Sequence, residues 1–247
     1  MKSLNCSKQA QLQLQPACAR HAALAALAVA AALACNLARA QSEPSQWKYE
    51  VTPYLWGVNL DGDTRAGYTP DTHVEHNAMD IASSLSFGAM GAFEARKDRY
   101  GVLADAFYVR LTEDSFKVID QMYSMGGAYR LNDLPLPVDA LAYVRYTHLT
   151  VRNDWTGLED AKGWADLLVG ARMYAPLAEG WTAVGEADLG GGGSKLTWQM
   201  LAGANWAMNP TTNIKMGYRY LKVDYERDLF KYDMAMKGLY AGVGFSF

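Results

Sequence analysis

The residues of this 247-residue chain best suited to chemistry are three histidines that lie beyond residue 40. His73 and His76 share a polar stretch with Glu75, whereas His148 lies far from them in the sequence. Two histidines and a carboxylate are residue types that bind metal ions, but their spacing here matches no recognised metal site. A histidine that acts as a base needs a nucleophile beside it, and the G-x-S-x-G motif is absent. We therefore expect no metal, no cofactor and no enzymatic activity.

A run of four glycines followed by Ser194 and Lys195 invites comparison with a phosphate-binding loop. In such loops the lysine precedes the serine or threonine, and a helix follows. Here the order is reversed and no helical pattern follows. The sequence therefore predicts a flexible hairpin over residues 190–194.

The N-terminal 40 residues predict a cleaved signal peptide. They carry basic residues and no acid, an Ala/Leu/Val run over residues 22–34, and the small residues Ala38 and Ala40 around Arg39. The apolar run is too short for a permanent membrane helix, which needs about 20 residues. Lipoprotein processing at Cys35 is the alternative, although the usual leucine three residues before the cysteine is missing. We expect a mature domain over residues 41–247.

Removal of the signal changes the composition of the chain. Cys6, Cys18 and Cys35 all lie within it, so the mature domain has no thiol for a disulfide or for catalysis. The signal also holds four basic residues, so the mature net charge is (23 − 4) − 26 = −7. This charge argues against nucleic acid as a partner.

The last eleven residues, 237–247, have the pattern of a strand with one lipid-facing side. Leu239, Val243, Phe245 and Phe247 fall on one face, because side chains alternate with a period of two. Such a strand ending on an aromatic residue resembles the closing strand of bacterial outer-membrane barrels. That resemblance implies recognition by the barrel-assembly machinery and contact with outer-membrane lipid.

Similar alternation predicts an all-β chain, a transmembrane antiparallel up-and-down barrel of about ten strands, with eight or twelve as alternatives. Pro53, inside the first strand, removes a ladder hydrogen bond and predicts a bulge or bend. Two long connections, residues 61–84 and 153–163, are expected on the outer side. The predicted strands span residues 47–60, 85–96, 100–112, 116–131, 138–152, 164–175, 181–190, 195–207, 213–226 and a tenth that reaches residue 247.

The connection over residues 61–84 contains one helical signal. Asn77 is a suitable N-cap, Asp80 occupies the capping-box position, and Ile81 and Leu85 lie one turn apart. We expect a short helix there, in a segment that is either an extracellular loop or a plug folded into the lumen.

Pairs of aromatic residues favour a membrane barrel over a water-soluble one. Trp198 and Trp206 share an outward face eight residues apart, as do Tyr100 and Tyr108. At ~3.3 Å per residue and ~40° tilt they are ~20 Å apart, close to the ~25 Å apolar band between aromatic girdles. A soluble barrel would instead turn its apolar faces inward.

With these features the chain resembles a proteobacterial family of small outer-membrane barrel proteins that is largely uncharacterised. The resemblance implies this fold and an outer-membrane location, and it transfers no catalytic or ligand-binding residue. It rests on the sequence around Pro53–Gly57 and Leu60–Asp63, on residues 87–96, on residues 217–221 and on the closing residues 242–247.

Charged residues of the inward faces form the candidate functional site. Their signs are nearly balanced, which predicts ion pairs across the lumen, because unpaired charge in a narrow barrel is costly. We predict a small porin-like channel for polar solutes or ions, or a passive barrel filled by these side chains. A protein that binds or adheres through its outer loops is the main alternative, and a barrel enzyme acting on lipid or peptide comes third. The residues predicted near the middle of the lumen are Glu94, Asp105, Arg145, Arg172, Glu186 and Arg219.

Overall fold

The computed structural model describes residues 46–65, 67–68, 70–113, 116–131, 134–153 and 158–247. The predicted signal peptide, its three cysteines and the loop tip with Trp155 lie outside the described residues. Among the described residues, no helix is long and apolar enough to cross a membrane.

Nearly all of the described chain is β-strand, with one short helix. The strands are β1 (Lys48–Trp56), β2 (Asn59–Arg65), β3 (Thr72–His76), β4 (Leu85–Lys97), β5 (Tyr100–Glu113), β6 (Phe116–Leu131), β7 (Val138–Asn153), β8 (Leu158–Ala178), β9 (Trp181–Gly192), β10 (Leu196–Asn209), β11 (Thr212–Arg227) and β12 (Phe230–Ser246), and helix α1 spans Ala78–Ser84.

Ten antiparallel strands close the barrel, as the sequence predicted. Strand β1 pairs with β4 on one side and with β12 on the other, and every strand from β4 to β12 pairs with the next. Strand β2 continues β1 along β12 in the same register, since Trp56 lies opposite Tyr240 and Asn59 opposite Lys237. Among the described strands, β3 pairs only with β2, and the two form a hairpin beside β12.

Of the two alternatives predicted at Pro53, the bulge does not occur. Val51 lies opposite Phe245 and Tyr54 opposite Gly242, so β1 keeps one register with β12 on both sides of the proline. Pro53 is also the last residue of β1 that pairs with β4. The missing N–H therefore falls where β1 leaves β4, and it interrupts no further pairing between these strands.

The registers fix the tilt of the strands. Glu50 of β1 lies opposite Glu94 of β4, and directly opposed residues continue from strand to strand to Met234 of β12 and Gly62 of β2. One circuit of the barrel therefore shifts the position along the first strand by 62 − 50 = 12 residues. With strands ~4.8 Å apart and a rise of ~3.3 Å per residue, ten strands with this shift tilt by about 40°. Both chain ends of the barrel lie together, because Tyr49 N–H donates to the carbonyl of Phe247 at 3.0 Å. We call this the terminal end, and the opposite end the distal end.

The two long connections are more ordered than predicted. Strand β7 extends to Asn153 and β8 begins at Leu158, so most of the predicted loop 153–163 is strand instead. The predicted helix is confirmed as α1, with Asn77 and Asp80 forming the capping box. The rest of residues 61–84 forms mainly the β2–β3 hairpin rather than an open loop.

Side chains alternate between an apolar exterior and a mixed interior in the terminal part of the barrel. Leu239 and Phe247 are exposed on the outer wall, whereas Asp139 and Arg145 are buried inside. Aromatic pairs line the exterior, including Trp181 on Trp206 and Tyr100 against Tyr129. The predicted inward and outward faces therefore match the structure there.

Candidate functional site

The six residues predicted near mid-lumen all line one cavity of about 340 Å³. They come from six different strands and are placed there by the alternation that turns every second side chain inward. These residues are Glu94 on β4, Asp105 on β5, Arg145 on β7, Arg172 on β8, Glu186 on β9 and Arg219 on β11.

Toward the terminal end, the cavity is bordered by tightly held ion pairs. Arg172 donates to Glu186 at 2.6 Å and to Glu94 at 2.9 Å, and Glu94 also accepts from Arg96 at 2.5 Å. Asp139, with no exposed side-chain surface, accepts from Arg96 at 2.7 Å. These side chains form one network across the lumen, in which each described carboxylate has a guanidinium partner.

The pairing of Asp139 is completed by Arg130, and a separate pair joins Lys215 to Glu50. Arg96 and Arg130 keep about a fifth to a quarter of their side-chain surface exposed, at 20% and 25%. Solvent therefore reaches this network from the terminal end.

In the middle of the lumen the ionic contacts are looser. The carboxylate nearest to Arg145 is Asp188, with Nη2 and Oδ1 3.7 Å apart, and Arg219 Nη2 lies 3.9 Å from Asp105. Arg219 is held mainly by neutral acceptors, since its Nε donates to Gln199 Oε1 at 2.8 Å. The same Gln199 oxygen lies 3.4 Å from Arg145 Nη2, so one amide oxygen serves both guanidinium groups.

The distal half of the lumen is filled by apolar side chains. We call this group the distal cluster. Leu221, Val223, Met234 and Met236 have at most 2% of their surface exposed. The full cluster of buried residues is Trp56, Val58, Phe107, Val109, Met122, Leu149, Trp164, Leu221, Val223, Tyr225, Tyr232, Met234 and Met236.

Sequence reasoning missed the distal cluster, although β11 carries a signal for it. Tyr218 and Tyr220 face outward, but the next two outward positions of the strand hold Lys222 and Asp224. The apolar residues continue on the inward face as Leu221 and Val223. Along β11, the outward face is therefore apolar up to Tyr220, and the inward face is apolar from Leu221 onward.

Aromatic contacts tie the cluster together across the lumen. Trp164 of β8 stacks on Tyr225 of β11 with ring centroids 4.1 Å apart, and Trp56 meets Phe107 edge-on at 5.8 Å. Arg219 lies beneath, with its guanidinium 4.7 Å from the centre of the Trp56 ring. The cluster thus rests directly on the polar groups of the middle lumen.

The hairpin predicted over residues 190–194 is shifted, because residues 190–192 still belong to β9 and the turn to β10 covers residues 193–195, where it contacts β8. Gly193 N–H donates to the carbonyl of Ala165 at 2.8 Å, and Ser194 N–H donates to Asp166 Oδ1 at 2.7 Å. A Cβ on Gly193 would lie 2.7 Å from Cβ of Trp164. Close packing beneath Trp164 therefore accounts for the glycine at this position.

Ion pairs hold the β2–β3 hairpin against the ends of the neighbouring strands. Lys237 lies 2.9 Å from Asp61, and Lys231 lies 2.7 Å from Asp71. The hydrogen bond from each lysine lowers the pKa of its aspartate. The hairpin is therefore fastened to β12 by charges that lie in water.

The histidines lie away from the lumen cavity. His73 is 3.0 Å from Asp63 across the hairpin, and this hydrogen bond raises the pKa of the imidazole. His76 ends β3 opposite Leu60. His148 packs on the ring of outward-facing Tyr146, with centroids 6.2 Å apart.

No protein-family model and no curated protein matches this sequence. Among solved structures, the chain is similar to the outer membrane protease OmpT from Escherichia coli, with 9% identity, a TM-score of 0.47, and coverage of 83% of this chain and 98% of that one. It is also similar to the translocator domain of autotransporter NalP from Neisseria meningitidis, with 12% identity, a TM-score of 0.42, and coverage of 92% and 98%. Ail, the attachment invasion locus protein of Yersinia pestis, gives 12% identity, a TM-score of 0.37, and coverage of 82% and 99%. All three TM-scores lie below 0.5.

Proposed function

We propose that this protein is an outer-membrane barrel whose lumen is sealed, a passive scaffold rather than an open porin. The terminal end faces the periplasm and the distal end faces the outside, as expected from short periplasmic turns and longer outer connections. The proposal includes no catalytic step and no cofactor.

Two features of the outer wall support the membrane location. The exterior between the aromatic pairs is apolar, with Leu239, Met125 and Leu167 each more than 60% exposed. Beyond the distal aromatic positions the outward face becomes charged, as at Lys222 and Asp233, which pair at 2.5 Å. A wall in water needs a polar exterior and an apolar core, whereas a wall in lipid needs an apolar exterior. The exchange of faces therefore marks the outer boundary of the membrane.

The observation that carries the proposal of a sealed lumen is the distal cluster. Its central residues Leu221, Val223 and Met236 have 0–1% of their surface exposed, as in a soluble core. Hydrated ions do not cross a closely packed apolar layer, because a buried charge without a partner is costly. The ion pairs of the terminal part then serve as internal packing.

Single-channel conductance of the refolded mature protein in a planar bilayer tests this proposal. We expect the native protein to be silent. Replacing three residues of the distal cluster by alanine, Leu221, Met236 and Met122, should produce current, because the volume of about three side chains is removed from the seal. The matched control makes the same changes on the outer wall at Leu239, Met200 and Met125, and should stay silent. Steady unitary steps from the native protein would contradict the proposal and favour a porin-like channel.

A binding role for the distal surface is the second candidate. Tyr68, in the turn between β2 and β3, is 94% exposed, and Met79 of α1 is 79% exposed. An ordered hairpin that presents large side chains to solvent is suited to contact with another surface. Replacing residues 66–71 by a two-residue turn should leave the barrel folded and abolish attachment of cells that display the protein; unchanged attachment would remove this candidate.

A further inference from the structure

We propose that the lumen cavity is a binding site for a small organic carboxylate with an apolar body, which enters from the periplasmic end and is held by Arg145 and Arg219.

The first argument is the contrast between loose and tight guanidinium groups. The terminal network has nitrogen–oxygen distances of 2.5–2.9 Å around Arg96 and Arg172. Arg145 has no such contact among the described residues. Its hydrogen-bonding distances run from 3.3 Å to Tyr143 to 3.5 Å to Thr197, longer than the usual 2.7–3.2 Å.

Burial makes these long contacts significant. Arg145 is only 2% exposed, and Arg219 is 8% exposed. A buried guanidinium has five N–H donors to satisfy and binds carboxylates in a two-pronged geometry. Arg219 Nη1 donates to Tyr54 at 3.2 Å, but among the described residues Nη2 has only the 3.9 Å contact with Asp105, so both arginines keep N–H groups available to a bound anion.

The shape of the cavity provides space beside Arg145. Asp105, Ser124 and Arg145 lie directly opposite one another on β5, β6 and β7, so the small side chain of Ser124 lies between those of Asp105 and Arg145. Ser124 lines the cavity and contacts Arg145 Nε only at 3.4 Å. The notch above Ser124 is where we place the carboxylate.

Apolar side chains complete the cavity and define the class of ligand. Leu103, Leu141, Val184 and Leu201 share its lining with the charged groups. The four cationic side chains of the lining are matched by four anionic ones, Glu50, Glu94, Asp105 and Glu186, so an inorganic anion gains little from net charge. A carboxylate joined to a compact apolar body uses both the donor groups and the apolar wall.

The route of entry follows from the ends of the lumen. The cavity lining reaches Glu50 and Asn213 toward the terminal end, where a second depression shares Glu50 and Glu94 with it. The distal cluster closes the other end. The site is therefore closed toward the outside, and a ligand reaches it from the periplasm past the ion pairs of Arg96 and Arg172.

Calorimetric titration of the mature protein in detergent micelles with sodium benzoate tests the proposal. Benzyl alcohol serves as the uncharged analogue and benzylamine as the cationic one. We expect benzoate to bind at millimolar concentration or tighter, and both analogues to bind at least about tenfold more weakly, because they lack charge-assisted hydrogen bonds to arginine. Arg145→Gln should weaken benzoate binding by about tenfold or more, whereas the same change at exposed Arg110 should leave it unchanged.

A second variant keeps the test decisive if Arg145→Gln does not fold. Ser124→Leu adds apolar volume to the notch without removing a charge, and folding is checked by the heat-dependent shift of barrel mobility in gels. Loss of benzoate binding in a folded Ser124→Leu barrel supports the site. No heat from benzoate with the native protein, equal affinity in the Arg145→Gln and Arg110→Gln variants, or tighter binding of benzylamine than of benzoate would each overturn it.

Discussion

Removing the charge of Asp139 should destabilise the barrel more than any comparable change at its surface. The carboxylate is fully buried and accepts hydrogen bonds from two arginines, Arg96 at 2.7 and 3.3 Å and Arg130 at 3.2 Å. The substitution Asp139→Asn keeps the size of the side chain. It leaves two guanidinium groups without their shared anion.

The structure sets the expected magnitude. Breaking a buried ion pair by removing one partner costs roughly 3–5 kcal/mol. Arg96 and Arg130 are 20% and 25% exposed, so water offsets part of this cost. The remaining amide oxygen still accepts one hydrogen bond. We therefore expect a loss of about 2–3 kcal/mol in the free energy of unfolding.

Urea unfolding of the barrel in lipid vesicles, followed by tryptophan fluorescence, measures this loss. The matched control is Asp160→Asn, which alters a surface pair with Lys162 at 3.2 Å whose side chains are 54% and 39% exposed. That change should cost less than about 1 kcal/mol. If the two variants differ by less than about 1 kcal/mol, burial of Asp139 between two arginines does not stabilise the barrel.

Two further predictions concern close packing and pH. Gly238→Ala should cost about 1–3 kcal/mol, because a Cβ there would lie 1.7 Å from the backbone oxygen of Gly57, between β1 and β2. Gly185→Ala, with nothing within 4 Å of the added Cβ, should be neutral in the same urea assay, and equal effects would contradict this. The hydrogen bond to Asp63 raises the pKa of His73 above its usual 6.5, so its contribution to the β2–β3 hairpin is complete below about pH 6.5 and is lost as the pH rises through the raised value. A spin label at Tyr68→Cys should therefore gain mobility between pH 6 and pH 9, and His73→Gln should abolish that response; a response that survives this substitution would exclude His73 as its cause.

Most of the barrel could be predicted from local sequence. Alternation located β6 at Phe116–Leu131 with its bounds correct, and the capping pair Asn77 and Asp80 located α1. Both signals come from residues within a few positions of each other. The errors lie where contacts between residues far apart in the sequence decide the structure. The predicted loop over residues 153–163 is polar enough for a loop, but pairing with β7 keeps most of it in a strand.

The candidate site was only half predictable. The alternation of side chains between the two faces of each strand was sufficient to place residues such as Glu94 and Arg172 around one cavity. It did not reveal which charges pair tightly and which remain loose, because that depends on side chains from non-neighbouring strands. The distal cluster was missed because the outward face of each strand was assumed to stay apolar and the inward face polar over its whole length, although inward Leu221 and outward Lys222 already show the exchange.

The all-β class, the antiparallel order and the side of the wall to which each residue points can be derived from the amino-acid sequence alone. These properties follow from a period of two and from turns between adjacent strands. The shift of 62 − 50 = 12 residues around the barrel cannot be derived in this way, because it depends on how β12 pairs with β1 and β2 in the folded barrel. That shift sets which side chains meet across the lumen. It brings Trp164 onto Tyr225, closes the distal end, and leaves Arg145 and Arg219 over a cavity that no stretch of the sequence contains on its own.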